Sequence, residues 1–184
     1  MLSVIKLGGS LLKAGYLPAC LDAVTRHSGQ ILLVPGGGVF ADQVRVSQQQ
    51  WHFDDTTAHR MAILAMQQMA LLISAFKPEW GLLEDLTALK HMPRIAIWSP
   101  NLTELDRSNV DASWDITSDS LAAWLAGQFK ADNLTLVKSC QVNEGLEYTE
   151  LQQQGVVDAG FLRFAQSIDC NITFINQARF MTLS

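Results

Sequence analysis

Residues 3–10 read Ser-Val-Ile-Lys-Leu-Gly-Gly-Ser, and residues 30–38 read Gln-Ile-Leu-Leu-Val-Pro-Gly-Gly-Gly. Each is a short apolar run that stops at a cluster of glycines. By this pattern residues 3–7 form a buried strand, with Lys6 as its one charge, and residues 30–34 form a second, rich in branched side chains. A helix is expected between them, over about residues 17–27. Strand, glycine turn, helix, strand, glycine turn, helix is the order of an α/β protein with a parallel sheet. Both glycine turns then fall at the carboxyl ends of strands, where such sheets hold their ligands.

The rest of the chain extends that order. Residues 58–76 are helical by pattern, preceded by Asp54, Asp55, Thr56 and Thr57 as cap candidates. Their apolar residues, Met61, Met66 and Met69 among them, cover almost the whole circumference. A helix of that kind is buried in a core or in a subunit contact, so a homodimer or higher homo-oligomer is expected through it. Residues 94–98 read as a third strand, stopped by Ser99-Pro100. Thr117-Ser118-Asp119 opens a helix to about Phe129, with Thr117 or Ser118 as its cap, and residues 134–137 are a fourth strand. Residues 139–155 are polar and irregular by pattern. A helix near 159–167 and a final strand over 172–175 follow. There is no internal repeat, low-complexity tract or linker. The expected fold is one domain over residues 1–184, a three-layer α/β/α sandwich with a mainly parallel sheet.

Composition narrows the function. The chain has 184 residues, 48% of them hydrophobic and 17% charged, which excludes a disordered or fibrous protein. The balance of 13 basic against 18 acidic residues leaves a net charge of −5. No polybasic face exists for nucleic acid, and any phosphate-bearing ligand must be held by local positive groups. The most apolar segment, residues 61–76, carries Gln67, Gln68 and Ser74 and is too short to span a bilayer. The N-terminal run lacks a basic region and is interrupted by Lys6, unlike a signal peptide; a cytoplasmic protein is expected. The three cysteines are odd in number and show no C-x-x-C spacing, so neither a disulfide framework nor a zinc site is expected. His52 and His59 also lack partners at metal-ligand spacing, and no metal site is expected.

Three constellations carry possible chemistry. In the first, Lys6 precedes Gly8-Gly9-Ser10. Backbone N–H groups of a glycine turn can converge on phosphate oxygens, and the ammonium can reach the same anion; the alternative is a lysine that snorkels to water beside an ordinary turn. The second is Pro35-Gly36-Gly37-Gly38 followed by Val39-Phe40-Ala41-Asp42. One glycine suffices for a turn, whereas three leave room for a ligand at a helix N-terminus. The third is Asp115-Ile116-Thr117-Ser118-Asp119-Ser120, where Asp119 either favours the helix dipole or points into the crevice to orient lysines. Neither glycine turn has the G-x-x-x-x-G-K-[ST] or G-x-G-x-x-G pattern. Ser10 has no identifiable His/Asp partners for hydrolase chemistry.

Together and in this order, the three constellations resemble the amino acid kinase superfamily, most strongly over residues 4–38 and 114–127. Further stretches resemble a small branch, the kinase of aminomethylfuran-methyl phosphate in methanofuran biosynthesis. They are the run from Pro35 through Asp42 to Arg45, Ala58-His59-Arg60-Met61-Ala62-Ile63, Ser113 to Leu121, Val157-Asp158-Ala159-Gly160-Phe161 and Ile175-Asn176-Gln177-Ala178-Arg179. The resemblance implies transfer of the γ-phosphoryl group of ATP to a small phosphomonoester, giving a diphosphate, with Mg²⁺ arriving on the nucleotide. Lys6 and Asp119 would be the catalytic residues, Asp119 orienting the cationic groups. Gly8, Gly9 and Ser10 would bind phosphate. Gly36, Gly37, Gly38 and Arg45 would bind the acceptor. Lys138, Val142 and Gly145 would face the nucleotide.

The nucleotide half departs from the family pattern. Where the superfamily has a Thr-Asp-Val-Asp-Gly-like stretch, this chain reads Lys138-Ser139-Cys140-Gln141-Val142-Asn143-Glu144-Gly145. Only Val142, Glu144 and Gly145 fit it. A later Gly-Gly-x-x-x-Lys-type segment with a second phosphate-binding lysine is missing, and Lys138 is the candidate to replace that charge. The departure leaves a second reading open, a non-catalytic anion- or nucleotide-binding protein on a degenerate kinase fold. A third differs only in the acceptor, an amino-acid carboxylate.

Overall fold

The computed structural model describes residues 1–108, 110–142 and 145–183. Its strands are β1 (Leu2–Leu7), β2 (Gln30–Pro35), β3 (Gly81–Leu83), β4 (Ile95–Trp98), β5 (Asn133–Lys138) and β6 (Asn171–Asn176). Its helices are α1 (Ser10–Lys13), α2 (Leu17–Arg26), α3 (Gly38–Trp51), α4 (Asp55–Phe76), α5 (Leu102–Arg107), α6 (Ser118–Gln128), α7 (Tyr148–Gln153), α8 (Phe161–Ala165) and α9 (Gln177–Thr182), with a 3-10 helix at Leu86–His91. The strands form one all-parallel sheet in the order β3-β4-β2-β1-β5-β6. The expected parallel α/β sandwich is thus the fold observed.

The topology puts β1 in the middle. The chain moves outward from β1 to β2 and beyond on one side, then returns to place β5 on the other. A reversal of this kind opens a crevice at the carboxyl ends of the strands. Register brings those ends level, because Lys6 lies beside Val34 of β2 and Leu136 of β5. Alternation along each strand then divides the side chains between two cores. Val4, Leu32, Val34, Leu134 and Leu136 pack with Leu121 and Leu125 of α6 and Phe161 of α8. On the opposite face Ile5, Leu7, Ile31, Leu33 and Val137 pack with Leu21 of α2 and Phe180 of α9. Among the described residues no helix is long and apolar enough to cross a membrane.

Several local expectations change. A three-residue edge strand, β3, escapes the hydrophobic pattern, so the strand expected over 94–98 is fourth in chain order. The segment 139–155 is not wholly irregular: it contains α7, closed by reciprocal capping between Glu147 and Glu150. A further helix, α9, follows β6 and is capped by the Asn176 side chain, which accepts from Ala178 N at 2.9 Å. Asp54 does cap α4, accepting from Thr57 N at 2.6 Å. The wide apolar circumference of α4 has a core explanation, since Ile63 and Met66 enter one cluster while Met69, Ala70 and Ile73 enter the other. Met66 and Met69 therefore face the interior, and the exposed apolar residues of α4 are Leu64, Leu71 and Phe76. At α6, Thr117 occupies the N-cap position, yet neither its side chain nor that of Ser118 caps the helix.

Candidate functional site

The crevice is organised around one carboxylate and two ammonium groups. Lys6, one residue from the end of β1, and Lys138, the last residue of β5, both point to the face covered by α6, as their spacing in register dictates. The first turn of α6 brings Asp119 between them. Lys6 Nζ lies 2.8 Å from Asp119 Oδ1 as an ion contact, and Lys138 Nζ donates to Oδ2 at 2.6 Å. All three are buried, at 5%, 6% and 8% exposure for Lys6, Asp119 and Lys138. Burial pushes the Asp119 carboxyl upward, but the ammonium groups of Lys6 and Lys138 outweigh it and hold the group below the usual carboxylate range. Burial first, and repulsion from Lys6 second, bring Lys138 down from 10.5 to about 8, although Asp119 works the other way. Two cations here share one carboxylate directly, in a chain that is acidic overall. A snorkelling lysine would reach water; Lys6 does not.

The glycine turns meet above this cluster, backbone against backbone. A Cβ on Gly9 would sit 2.3 Å from Gly38 N, one on Gly36 would sit 2.6 Å from Gly9 N, and the Gly36 N–H donates to Leu7 O at 2.8 Å. Gly38 takes a left-handed φ of 55° as α3 begins. Close turn-to-turn packing, as well as room for a ligand, accounts for the number of glycines. Gly8 directs its N–H toward Val137 O at 3.4 Å, and a Cβ there would lie 3.7 Å from Lys6 Nζ. Gly9 and Ser10, together with Gly36, Gly37 and Gly38, line a cavity of about 310 Å³.

The far wall of that cavity carries Arg45, Trp114 and His59. The Arg45 guanidinium lies 3.7 Å over the Trp114 ring, whose Nε1 donates to Gln48 Oε1 at 2.7 Å. No carboxylate pairs with Arg45 among the described residues, and the residue is exposed at the cavity. His59 is buried, and burial holds its imidazole below the ordinary pKa while a hydrogen bond to the Ile116 backbone opposes the shift. Its Nε2 has no hydrogen-bond partner among the described residues.

A second cavity, of about 450 Å³, opens beyond β5 and β6. Val142 and Gly145 line it with Tyr148 and Phe174, whose rings lie 6.1 Å apart between centroids. Glu144 lies outside the described residues. Lys138 does not line this cavity with them but belongs to the cluster at Asp119. The Ser10 and Ser139 hydroxyls, 2.8 Å apart, tie the first glycine turn to the segment that leaves β5. The structure thus gathers Lys6, Asp119 and Lys138 at one point, with the acceptor-side and nucleotide-side expectations in separate cavities.

The model of the amino acid kinase family matches residues 1–141. The chain belongs to the amino acid kinase family. It is 29% identical over 126 residues to the [5-(aminomethyl)furan-3-yl]methyl phosphate kinase of Methanocaldococcus jannaschii. That match takes in 66% of this chain and 58% of the curated relative's length. The uridylate kinase of Archaeoglobus fulgidus superposes with a TM-score of 0.70 at 18% identity, over 98% of this chain and 94% of that one. The isopentenyl phosphate kinase of T. acidophilum gives 0.65 at 10% identity, over 98% and 93%. At these identities the two solved structures attest the fold of this family member.

Sequence reasoning missed three residues of the site. Trp114 lies within a quoted motif but acquires its position only through Arg45 and Gln48 of α3. His59, without metal-ligand spacing, lies within the quoted stretch Ala58–Ile63 but carried no role. Asp158 was quoted within its motif without a role. Its carboxylate accepts from Thr117 N at 2.9 Å, Thr117 Oγ1 at 2.6 Å and Ser120 N at 3.1 Å, and from Ser120 Oγ, which makes it the cap that α6 lacks locally.

Proposed function

We propose that the protein is an ATP-dependent kinase that transfers the γ-phosphoryl group to a small phosphomonoester. The observation that carries this reading is the buried pair of lysines converging on Asp119 beside the first glycine turn. Phosphoryl transfer demands positioning and stabilisation of negative charge more than covalent help. Lys6 and Lys138 supply preorganised positive charge where that charge passes, and Asp119 keeps the two ammonium groups aimed. Gly9, Ser10 and the second turn approach the reacting phosphates, while Arg45 offers a charge to the acceptor's phosphate. Val142 and Gly145 belong to the nucleotide's side. In the reaction the bond from the γ phosphorus to its bridging oxygen breaks and ADP leaves. A bond forms from that phosphorus to an acceptor phosphate oxygen, giving a diphosphate. Both Asp119 oxygens are taken by ammonium groups, so Mg²⁺ would travel with the nucleotide phosphates and supply charge neutralisation there.

The acceptor we infer is an aminomethylfuran-methyl phosphate or a close analogue, by similarity to the archaeal relative. The test is ADP release with Mg²⁺ATP and that furan phosphate, set beside uridylate, glutamate and aspartate. Turnover confined to the furan phosphate is expected, and turnover confined to an amino acid overturns the acceptor assignment. The departures over residues 138–145 favour the second reading, binding without turnover. Calorimetry separates the two, since nucleotide affinity without ADP release in any mixture supports the non-catalytic protein. The use of ATP implies a cytoplasmic location.

A homo-oligomer is also inferred, a second copy covering Leu64, Leu71 and Phe76 of α4, each at least 43% exposed. Leu71→Lys is expected to shift the protein toward monomer in sedimentation; a wild type already monomeric at micromolar concentration overturns it.

A further inference from the structure

We infer that Asp158, in the segment joining α7 to α8, is a positioning residue of the phosphoryl-transfer centre, clamping the first turn of α6 so that Asp119 holds both lysines in place. The inference rests on the kinase reading and deepens it. A helix normally takes its first N–H groups to a cap within its own chain segment. Here Thr117 makes no such bond. One carboxylate from 41 residues downstream receives the Thr117 N–H and hydroxyl, and from 38 residues downstream the Ser120 N–H and hydroxyl. The four donors flank Asp119 on both sides in sequence, so the carboxylate fixes the turn that presents it.

The same segment is pressed against the turn from outside. Gly160 N donates to Asp115 O at 2.6 Å, and a Cβ at Gly160 would lie 2.8 Å from Asp115 O and 3.0 Å from Ser120 Oγ. The segment also continues from α7, whose Tyr148 and Leu151 line the second cavity. Asp158 therefore links the wall of that cavity to the lysine cluster by one short run of chain. Its charge acts there too: with Lys6 on β1 and Asp119 on α6, Asp158 is the third ionised group that acts on Lys138, and it favours the protonated ammonium. A cap of purely structural value would stabilise α6 without touching that lysine.

That distinction gives the test. Asp158→Asn keeps the shape, removes the charge and loses two of the carboxylate's acceptor positions. The titration midpoint of Lys138 Nζ, followed by NMR and assigned with Lys138→Arg, is expected to fall below its wild-type value. A fall agrees in sign, since a lost negative charge disfavours the ammonium. With it kcat should drop roughly 10–100-fold while both KM values hold, as for a misplaced catalytic group, and activity should be lost at lower pH than in wild type. An unchanged midpoint, or wild-type kcat in a folded variant, overturns the inference. If Asp158→Asn does not fold, Thr117→Val removes one donor without changing charge. A several-fold loss of kcat at constant KM supports the clamp there, and wild-type kcat refutes it. Should the wild type turn over no substrate at all, the kinase reading fails. The Lys138 midpoint in Asp158→Asn still decides whether Asp158 governs the lysine.

Discussion

The two sides of the crevice are built by opposite means. On the side proposed for the acceptor the geometry is backbone geometry: two glycine turns abut so closely that a Cβ on Gly9 would lie 2.3 Å from Gly38 N. On the side proposed for the nucleotide the geometry depends on side chains from distant segments, Lys138 reaching Asp119 and Asp158 reaching back to Thr117 and Ser120. Backbone packing of this kind tolerates no substitution but needs no partner. A side-chain clamp fails gradually, one hydrogen bond at a time. Lys6 and Asp119 stand where the two constructions meet, so they should govern the rate without belonging to either binding surface.

The largest effect is therefore expected at Lys6. Lys6→Ala should lower kcat by about 10²–10³, the usual loss for one preorganised charge-stabilising donor, with the KM of nucleotide and acceptor both near wild type. A rise confined to one KM would assign Lys6 to that side and break the comparison. Asp119→Asn comes next, with an expected loss of about 10² in kcat from misplaced ammonium groups. It should also melt earlier, because removing one partner of a buried ion pair commonly costs about 3–5 kcal/mol. Lys138 limits that cost, since a lysine already brought down to about 8 can release its proton instead of remaining an unpaired buried cation. Melting and turnover measured on one preparation check both halves of the statement. A variant that melts early yet turns over normally would make Asp119 structural.

The same contrast explains what was legible in the amino-acid sequence. Val4–Leu7 and Ile31–Val34 declare themselves by apolar runs, and their glycines mark the turns, because the determinants are adjacent along the chain. The parallel sheet and the place of Lys6 follow from those few residues. Asp119 was legible as a choice between two roles, and the structure places it, buried, between two lysines. Asp158 was not legible, because its partners are 38 and 41 residues away and nothing local distinguishes it from a solvated carboxylate. The circumference of α4 was ambiguous for a related reason: one helix serving two cores is as apolar all round as one serving a subunit contact. Three-residue β3 and six-residue α7 and α9 are too short to show a period.

Separate binding surfaces should give separate KM effects, and this is the finest test of the comparison. Arg45→Ala removes from the cavity proposed for the acceptor a guanidinium that no carboxylate pairs among the described residues, and leaves the Trp114 face bare. A several-fold rise in acceptor KM is expected, modest because the group is solvent-exposed and screened. Phe174→Ala is its counterpart and the smaller effect. The ring lines the second cavity and packs edge-on against Phe161, with centroids 5.6 Å apart, besides its contact with Tyr148. A base packed on that ring would contribute about 0.5–1.5 kcal/mol, as aromatic pairs do, so nucleotide KM should rise roughly 2–10-fold. Acceptor KM should not move, since Phe174 takes no part in the first cavity. The variant also loosens the packing of α7 and α8 on β6, and that segment carries Asp158. If kcat falls along with nucleotide affinity, the second cavity is mechanically coupled to the lysine cluster. If acceptor KM rises as well, the two sides share one deformable wall and the division between them fails.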